Sequence, residues 1–442
     1  MKKSLMLLGL LFFITLGIIV GDNNAQTLSG VLVGNVIRPY GVSWDEDNSS
    51  PTLTRTGAFA ASTAASAPGN DVLPIQSRMK RCILNDAGVV QYYLCSTDST
   101  KKADCLTASV LDGTDGQVMV EIPKFYYRYT YNTTTHVHEW SISLYAETGY
   151  EAHPAFYKDG AWVDYRYMSA YEGVGWDNSV SAYIDPNYTS ASVNWSGTTI
   201  DTVNDKLGSV SGLAPMTWET RDEFRTISLN RGVGWRQQDF YLISAIQLLY
   251  VVEYASFYSQ SVIGEGRTGL SGGTWTKDSY IGVTGKSNGD GNGTNSVGGN
   301  SNTAYMTYRG VENFFGNVQK WVDGFNINGG IPYVSNTETA FAENTTTAYS
   351  RLLDTGGTGI TLPQGADNYQ TTLEQTKGGF LPSAVGGSSS TYITDYYFQN
   401  TGWRLALLGG AADAGAAAGF FEWNLYLASA YVSVTIGARV CF

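Results

Sequence analysis

Apolar residues return at helical spacing in only one long stretch. In residues 239–254, Phe240, Ile243, Ile246, Leu249 and Val252 recur every third position, and most positions between them are apolar too. That pattern predicts a helix buried on every side. A second helix is expected over residues 218–229, with Thr217 as N-cap, Glu219, Asp222 and Glu223 in its first turns and Gly232 just past its end. The rest of the pattern is strand-like. Residues 32–37, 89–94 and 135–142 are short β runs bounded by turn residues, and residues 117–129 form the longest, with Pro123 expected at an edge or bulge. The expected fold class is α+β, with long irregular loops.

The chain divides by texture. Lys2 and Lys3 precede an apolar run ending at Val20, followed by polar residues 21–24. This is the layout of a secretory signal, so residues 1–25 are set apart from the fold, and any membrane contact is expected only through them. Residues 26–116 mix short strands with turns and are expected to form a small β-rich attachment or assembly region. From residue 117 to 442 the sequence is more core-like, interrupted by a Gly/Asn/Ser loop over residues 286–302.

Composition narrows the function. The 442 residues are 13% aromatic and only 15% charged, with 30 Tyr and 51 Gly, which is too apolar for disorder. A net charge of −12 argues against nucleic acid, since nothing would neutralise a run of phosphates. Cys82, Cys95 and Cys105 allow one disulfide with one thiol left over, and three free thiols are equally compatible; Cys441 stands apart. No Cys spacing suggests zinc. His136 and His138 would share one face of a strand, but no third metal ligand is evident. The acidic residues 45–50 and the 286–302 loop carry oxygen ligands suited to calcium, without the spacing of a calcium loop. The simpler reading of both is solvated loop, so no cofactor or metal is assigned.

The most informative stretch is residues 402–442. Trp403, Arg404, Gly409, Gly410, Gly415, Gly419, Phe420, Phe421, Trp423, Leu425, Ile436, Gly437 and Arg439 read as a frame. Between them lie residues of no shared chemistry. Glycines and aromatics can fix a backbone while the intervening side chains do other work.

A resemblance rests on ordered motifs. These are Ile122-Pro123, Trp218, Trp235-Arg236, then Gly316-Asn317-Val318-Gln319-Lys320-Trp321, then Trp403-Arg404 through Gly409-Gly410 to Gly437-Ala438-Arg439. Over residues 117–442 this order resembles the C-type-lectin fold in its formylglycine-generating-enzyme-like (sulfatase-modifying factor) form. The last segment is similar to one branch, the variable proteins of diversity-generating retroelements (the major tropism determinant group and its bacterial surface relatives). In that branch a C-terminal cassette is rewritten at adenine-rich codons while frame residues hold the fold. The resemblance implies ligand contacts at Asp413, Ala414, Ala416, Ala417, Glu422, Tyr426, Leu427, Tyr431, Ser433 and Thr435. Glu422 fits less well, and Leu405 and Leu407 are further candidates. It implies a scaffold of Trp403, Arg404, Gly409, Gly410, Gly419, Trp423, Gly437, Arg439, Gly316, Asn317 and Trp321.

The chemistry agrees with a binder. Tyr426 and Tyr431 offer large rigid contact area with a polar tip, and Ala414, Ala416 and Ala417 leave a hollow beside them. Residues 431–435 would alternate sides if extended. Enzymatic function is not expected, since Cys441 is the only Cys beyond residue 116 and the cysteine pair of the parent enzymes is missing. The expectation is an exported recognition protein, at a cell surface or secreted, or on a virion tail. Its partner would be a cell-surface or host protein or glycan, and homo-oligomer formation is compatible. The alternative is a fixed adhesin or fibre domain without a variable site.

Overall fold

The computed structural model describes residues 38–442 apart from 61–67, 71, 187–199, 272–274, 278, 300–301 and 366. The targeting segment and the expected strand at residues 32–37 lie outside that range. Residues 38–442 form one compact unit. No helix among the described residues is long and apolar enough to cross a membrane.

The α+β expectation is overturned. Among the described residues strands take 36% and helices 11%, with a sheet curled into a half-barrel, so the fold is β-rich. The helical signals were read at about the right places, but they account for little of the chain. The long β-prone intervals on either side fold into many short strands.

The Phe240–Tyr254 helix forms as its spacing predicts. Asp239 caps it by accepting from the Leu242 N–H at 2.9 Å and pairs with buried Arg166 at 2.6 Å. The other helix starts later than expected, at Arg221. Trp218 has φ +72°, which no right-handed helix accommodates. Thr220 is the N-cap instead, in a reciprocal capping box with Glu223. The run over residues 117–129 breaks into Gln117–Pro123 and Tyr126–Asn132, which lie in different sheets. Pro123 ends the first ladder, in keeping with its missing donor.

Two sheets carry the C-terminal segment. In the first, Lys80–Leu84 pairs with Gln117–Pro123, so the change of texture at Gly116 falls inside one sheet. Gln117–Pro123 pairs with Tyr165–Ser169, and Val440–Cys441 lies between Tyr165–Ser169 and Arg236–Gln237. The second sheet is built around Gln319–Asn328. Ile331–Val334 and Trp403–Leu408 flank it antiparallel, and Ile436–Gly437 pairs with its start in parallel. Trp423–Leu425 then fits between Trp403–Leu408 and Ile393–Gln399. One core cluster joins Trp321, Leu405, Leu407, Ile436, Ala438 and Val440 to Met216, Phe224 and Trp235. Leu405 and Leu407, candidates for ligand contact, are therefore core.

The cysteines and histidines resolve locally. Cys95 is bonded to Cys105, and Cys82 and Cys441 are buried free thiols. His136 sits in a turn at φ +50° and pairs with Asp47 at 2.9 Å. His138 is buried between the Tyr129 hydroxyl at 2.8 Å and Glu46 at 3.0 Å. The two rings thus do not share a strand face; each has its own carboxylate. In the 286–302 loop, Asp290 accepts from Tyr305 at 2.5 Å and Asn292 accepts from the Arg81 N–H at 2.7 Å. These oxygens are occupied within the protein. Among the described residues no group of three or more His, Cys, Asp or Glu is arranged to hold a metal.

The first helix is fastened to the Gln319–Asn328 strand by a buried ion network. Arg225 grips Asp323 with two bonds of 2.6 and 2.8 Å, Arg221 reaches Glu343 at 2.9 Å, and Arg221 also donates to the Phe325 carbonyl at 2.7 Å. Removing one member leaves charge buried without compensation. Asp323→Asn should lower stability by about 3–5 kcal/mol in urea unfolding. Asp222→Asn, whose carboxylate is exposed, should change it by less than about 0.5 kcal/mol.

Candidate functional site

The C-terminal segment alternates buried frame and exposed side chain. After the Trp403–Leu408 strand the chain turns at Gly409 (φ +93°) and Gly410 (φ +73°). A Cβ on Gly409 would lie 2.8 Å from the Phe314 carbonyl, so only glycine fits. Ala411 and Ala412 are buried, and the loop that follows is hung from fixed points. Ala412 donates to the Asn317 carbonyl at 2.9 Å and accepts from Leu270 at 2.9 Å, while Gly415 donates to Thr268 at 2.8 Å. The Gln260 amide donates to the Gly415 and Ala418 carbonyls, both at 2.8 Å. On this loop Asp413 and Ala416 are exposed, and Ala414 and Ala417 are half-buried.

Next comes a buried stretch. Gly419 packs on Asp395, and its Cβ would meet that carboxylate at 2.1 Å. Phe420 stacks between Tyr250, at 4.1 Å, and Phe314, at 4.4 Å. Trp423 is fully buried and donates to the Phe380 carbonyl at 2.9 Å. The chain then surfaces. Tyr426 is 47% and Tyr431 45% exposed, and Leu427, Ser433 and Thr435 are half-buried. Residues 431–435 are not a strand, yet their sides do alternate. The Ser433 and Thr435 hydroxyls meet at 2.9 Å, while Val434 turns inward onto Ala214 and Ile281.

Gln319 joins these stretches, a role its place in the motif did not reveal. Its N–H donates to the Thr435 carbonyl at 2.8 Å, its side-chain amide donates to Glu422 at 3.0 Å, and its side-chain oxygen accepts from Asn424 at 3.4 Å. The other Glu422 oxygen accepts from the Gly410 N–H at 2.9 Å. The turn before the 411–418 loop, the strand before Tyr426 and the end of the 431–435 stretch therefore meet at one residue. Trp275 makes a second link: it packs against both the Ala412 cluster and the Val434 cluster, with Trp218 beside the latter. The Trp218 indole N–H is buried without a hydrogen-bond partner. Neither tryptophan carried a sequence signal for this placement, because the contacts that define it are all long-range.

Three expectations need correction. Glu422, read as a ligand contact, is fully buried and serves the frame. Trp403 and Arg404, read as frame, are only half-buried at a strand start, and the Arg404 guanidinium reaches just the Trp403 carbonyl at 3.0 Å. The other scaffold residues are buried. Arg439 donates to the carbonyls of Ser169, Glu312 and Asn313. Gly437 sits against the Met216 carbonyl, Gly316 turns at φ +78°, and the Trp321 indole donates to the Glu219 carbonyl at 3.2 Å.

No protein-family model matches the chain, and no curated protein matches it. Among solved structures it is similar to one titled "Major Tropism Determinant P3c Variant", at 12% identity and a TM-score of 0.28, over 75% of this chain and 83% of that one. A likeness of that degree establishes neither fold nor function.

Burial leaves an electrostatic mark under the segment. It pushes the Glu422 carboxyl up to about 8, and Asp395 to about 8. Both acids titrate higher in the fold than in the unfolded chain, so the stability they lend is complete below the ordinary carboxylate range and is lost as pH rises through about 8. Burial also holds His153 down to about 3, which costs stability only below its ordinary range near 6.5. From pH 6.5 to 8 these two acids should therefore lower stability, outweighing the opposite contribution above pH 7 of Lys158, which burial holds down to about 7. Glu422→Gln, which keeps the shape without the charge, should reduce that slope by about 1 kcal/mol per pH unit in urea titrations.

Proposed function

We propose that the protein is a recognition protein and not an enzyme, and that residues 411–435 form its ligand-binding face. One observation carries this reading: buried frame and exposed, chemically unrelated side chains alternate within a single segment, and Gln319 ties the exposed stretches together. Asp413, Ala416, Tyr426 and Tyr431 reach solvent from a backbone fixed by Gly409, Gly410, Gly419, Trp423 and Arg439. Such a surface tolerates side-chain change without backbone change, because its anchors are mostly backbone hydrogen bonds and buried aromatics.

The finer reading is a variable protein of a diversity-generating retroelement. Its displayed residues would be Asp413, Ala414, Ala416, Ala417, Tyr426, Leu427, Tyr431, Ser433 and Thr435. Glu422 is withdrawn from that set on its burial. The protein would be exported, at a cell surface, secreted or on a virion tail, and would bind a cell-surface or host protein or glycan. Exposed tyrosines supply rigid contact area at little conformational-entropy cost, which suits a face meant to accept many partners.

Two measurements test this. Sequencing the 3′ end of the gene across a population should find changes confined to codons for residues 413–435, with the glycines and Trp423 untouched. A uniform sequence would favour a fixed adhesin. In the protein, replacing Asp413, Tyr426 and Tyr431 together with alanine should alter ligand choice and leave the melting temperature nearly unchanged. Trp423→Ala should lower stability by about 3–5 kcal/mol. The opposite ranking of the two variants would defeat the assignment.

A further inference from the structure

A second cleft lies away from this face; none of residues 402–442 lines it. One wall is a small hairpin in which Tyr157–Lys158 pairs with Ala161–Trp162. Its turn is Asp159-Gly160, with φ +51° and +85°, the left-handed pair that a tight two-residue hairpin requires. The register sets Tyr157 directly across from Trp162, with ring centroids 5.2 Å apart. The inner side of the hairpin is fastened. Lys158 is buried over the Phe442 ring and donates to the Gly234 carbonyl, Arg236 pairs with Asp159, and Asp159 accepts from the Glu338 N–H at 2.9 Å. The aromatic pair is left outward, with Trp162 53% and Tyr157 39% exposed.

Opposite the hairpin, Tyr127, Tyr241 and Leu352 contribute apolar lining and residues 353–355, 357 and 376–378 add to the cleft, whose volume is about 580 Å³. That lies within the usual range of small-ligand sites, about 300–1,000 Å³. The charged and amide side chains lining it are Glu151, Lys377, Asn336 and Asp354. The one ammonium among them is already paired, Lys377 to Glu151 at 3.2 Å.

We propose that this cleft binds a neutral oligosaccharide. An aromatic face is electron-rich and attracts the C–H face of a pyranose ring, while carboxylate and amide groups at the margin accept and donate to its hydroxyls. Trp162 and Tyr157 supply the faces; Asp354, one oxygen of which accepts from the Thr358 N–H at 2.7 Å, and Asn336, which donates to the Pro154 carbonyl at 3.1 Å, supply the hydroxyl partners with their remaining polar atoms. The neutralised lysine and the chain's net charge of −12 favour a neutral over an acidic polysaccharide. The site stands on its own geometry and is independent of the role assigned to residues 411–435.

Affinity electrophoresis of the full chain in gels carrying soluble β-glucan, α-glucan, galactomannan or glycol chitin tests the assignment. At least one should retard the protein, and the matching hexasaccharide should change its tryptophan fluorescence. Trp162→Ala should weaken binding at least about 10-fold with an unchanged melt, as expected for loss of an exposed stacking ring. Asp354→Asn, a subtler change, should also weaken it and serves if the first variant is unstable. Alanine at Tyr426 and Tyr431 should leave it unaltered. Retardation by none of the four polysaccharides would overturn the proposal. So would equal retardation of wild type and Trp162→Ala, or of wild type and Asp354→Asn. Quenching by a proline-rich peptide in place of every sugar would overturn it in favour of a peptide site.

Discussion

Every polar group of Asn317 is engaged. Its N–H donates to the Arg267 carbonyl at 2.8 Å and its own carbonyl accepts from Ala412 at 2.9 Å. Its side-chain oxygen accepts from the Gly282 N–H at 2.7 Å, and its amide donates to Glu172 and to the Gly282 carbonyl. The residue can do this because it sits at φ +60°, a conformation asparagine tolerates better than most. Buried irregular backbone must find partners or lose stability, and Asn317 supplies them to several segments at once. Glu172 in turn pairs with buried Lys320 at 3.1 Å. The 411–418 loop hangs from this turn through Ala412, so its exposed residues depend on a side chain that never reaches solvent.

The same economy explains how the C-terminal segment carries exposed side chains of unrelated chemistry on a fixed backbone. Its anchors are backbone groups, glycines, rings and the side chains of Gln260, Gln319, Glu422 and Arg439. The side chains that reach solvent take little part in holding it. Ser433 and Thr435 are partial exceptions, since they bond each other and their carbonyls serve Trp218 and Gln319. Only the carbonyls, not the side chains, are needed for those last contacts.

What was legible in the sequence follows the range of the interactions. The Phe240–Tyr254 helix could be read because its signal is periodic and local. The glycines at 409, 410 and 419 stand out in the sequence as a frame, and the structure gives the cause: a Cβ would meet the Phe314 carbonyl at Gly409, Ala418 at Gly410 and the Asp395 carboxylate at Gly419. Glu422 could not be read correctly: its partners, Gly410 and Gln319, are 12 and 103 residues away, and nothing local separates a buried carboxylate from an exposed one. Trp403 misled for the converse reason, since an aromatic beside a strand looks like core whether or not another layer covers it. The β-rich balance was missed because short strands paired across large sequence distances leave only a weak pattern of their own.

The position of the last strands has a genetic consequence. Ile436–Gly437 completes one sheet, Arg439 closes the polar core and Val440–Cys441 enters the other sheet, all downstream of the exposed residues. A frameshift or premature stop anywhere in codons 411–435 removes all three. Such a product lacks parts of both sheets and cannot present a face at all. Both sheets are completed only when the stretch before them is read in frame, so the folding of the whole molecule is tied to the integrity of that stretch.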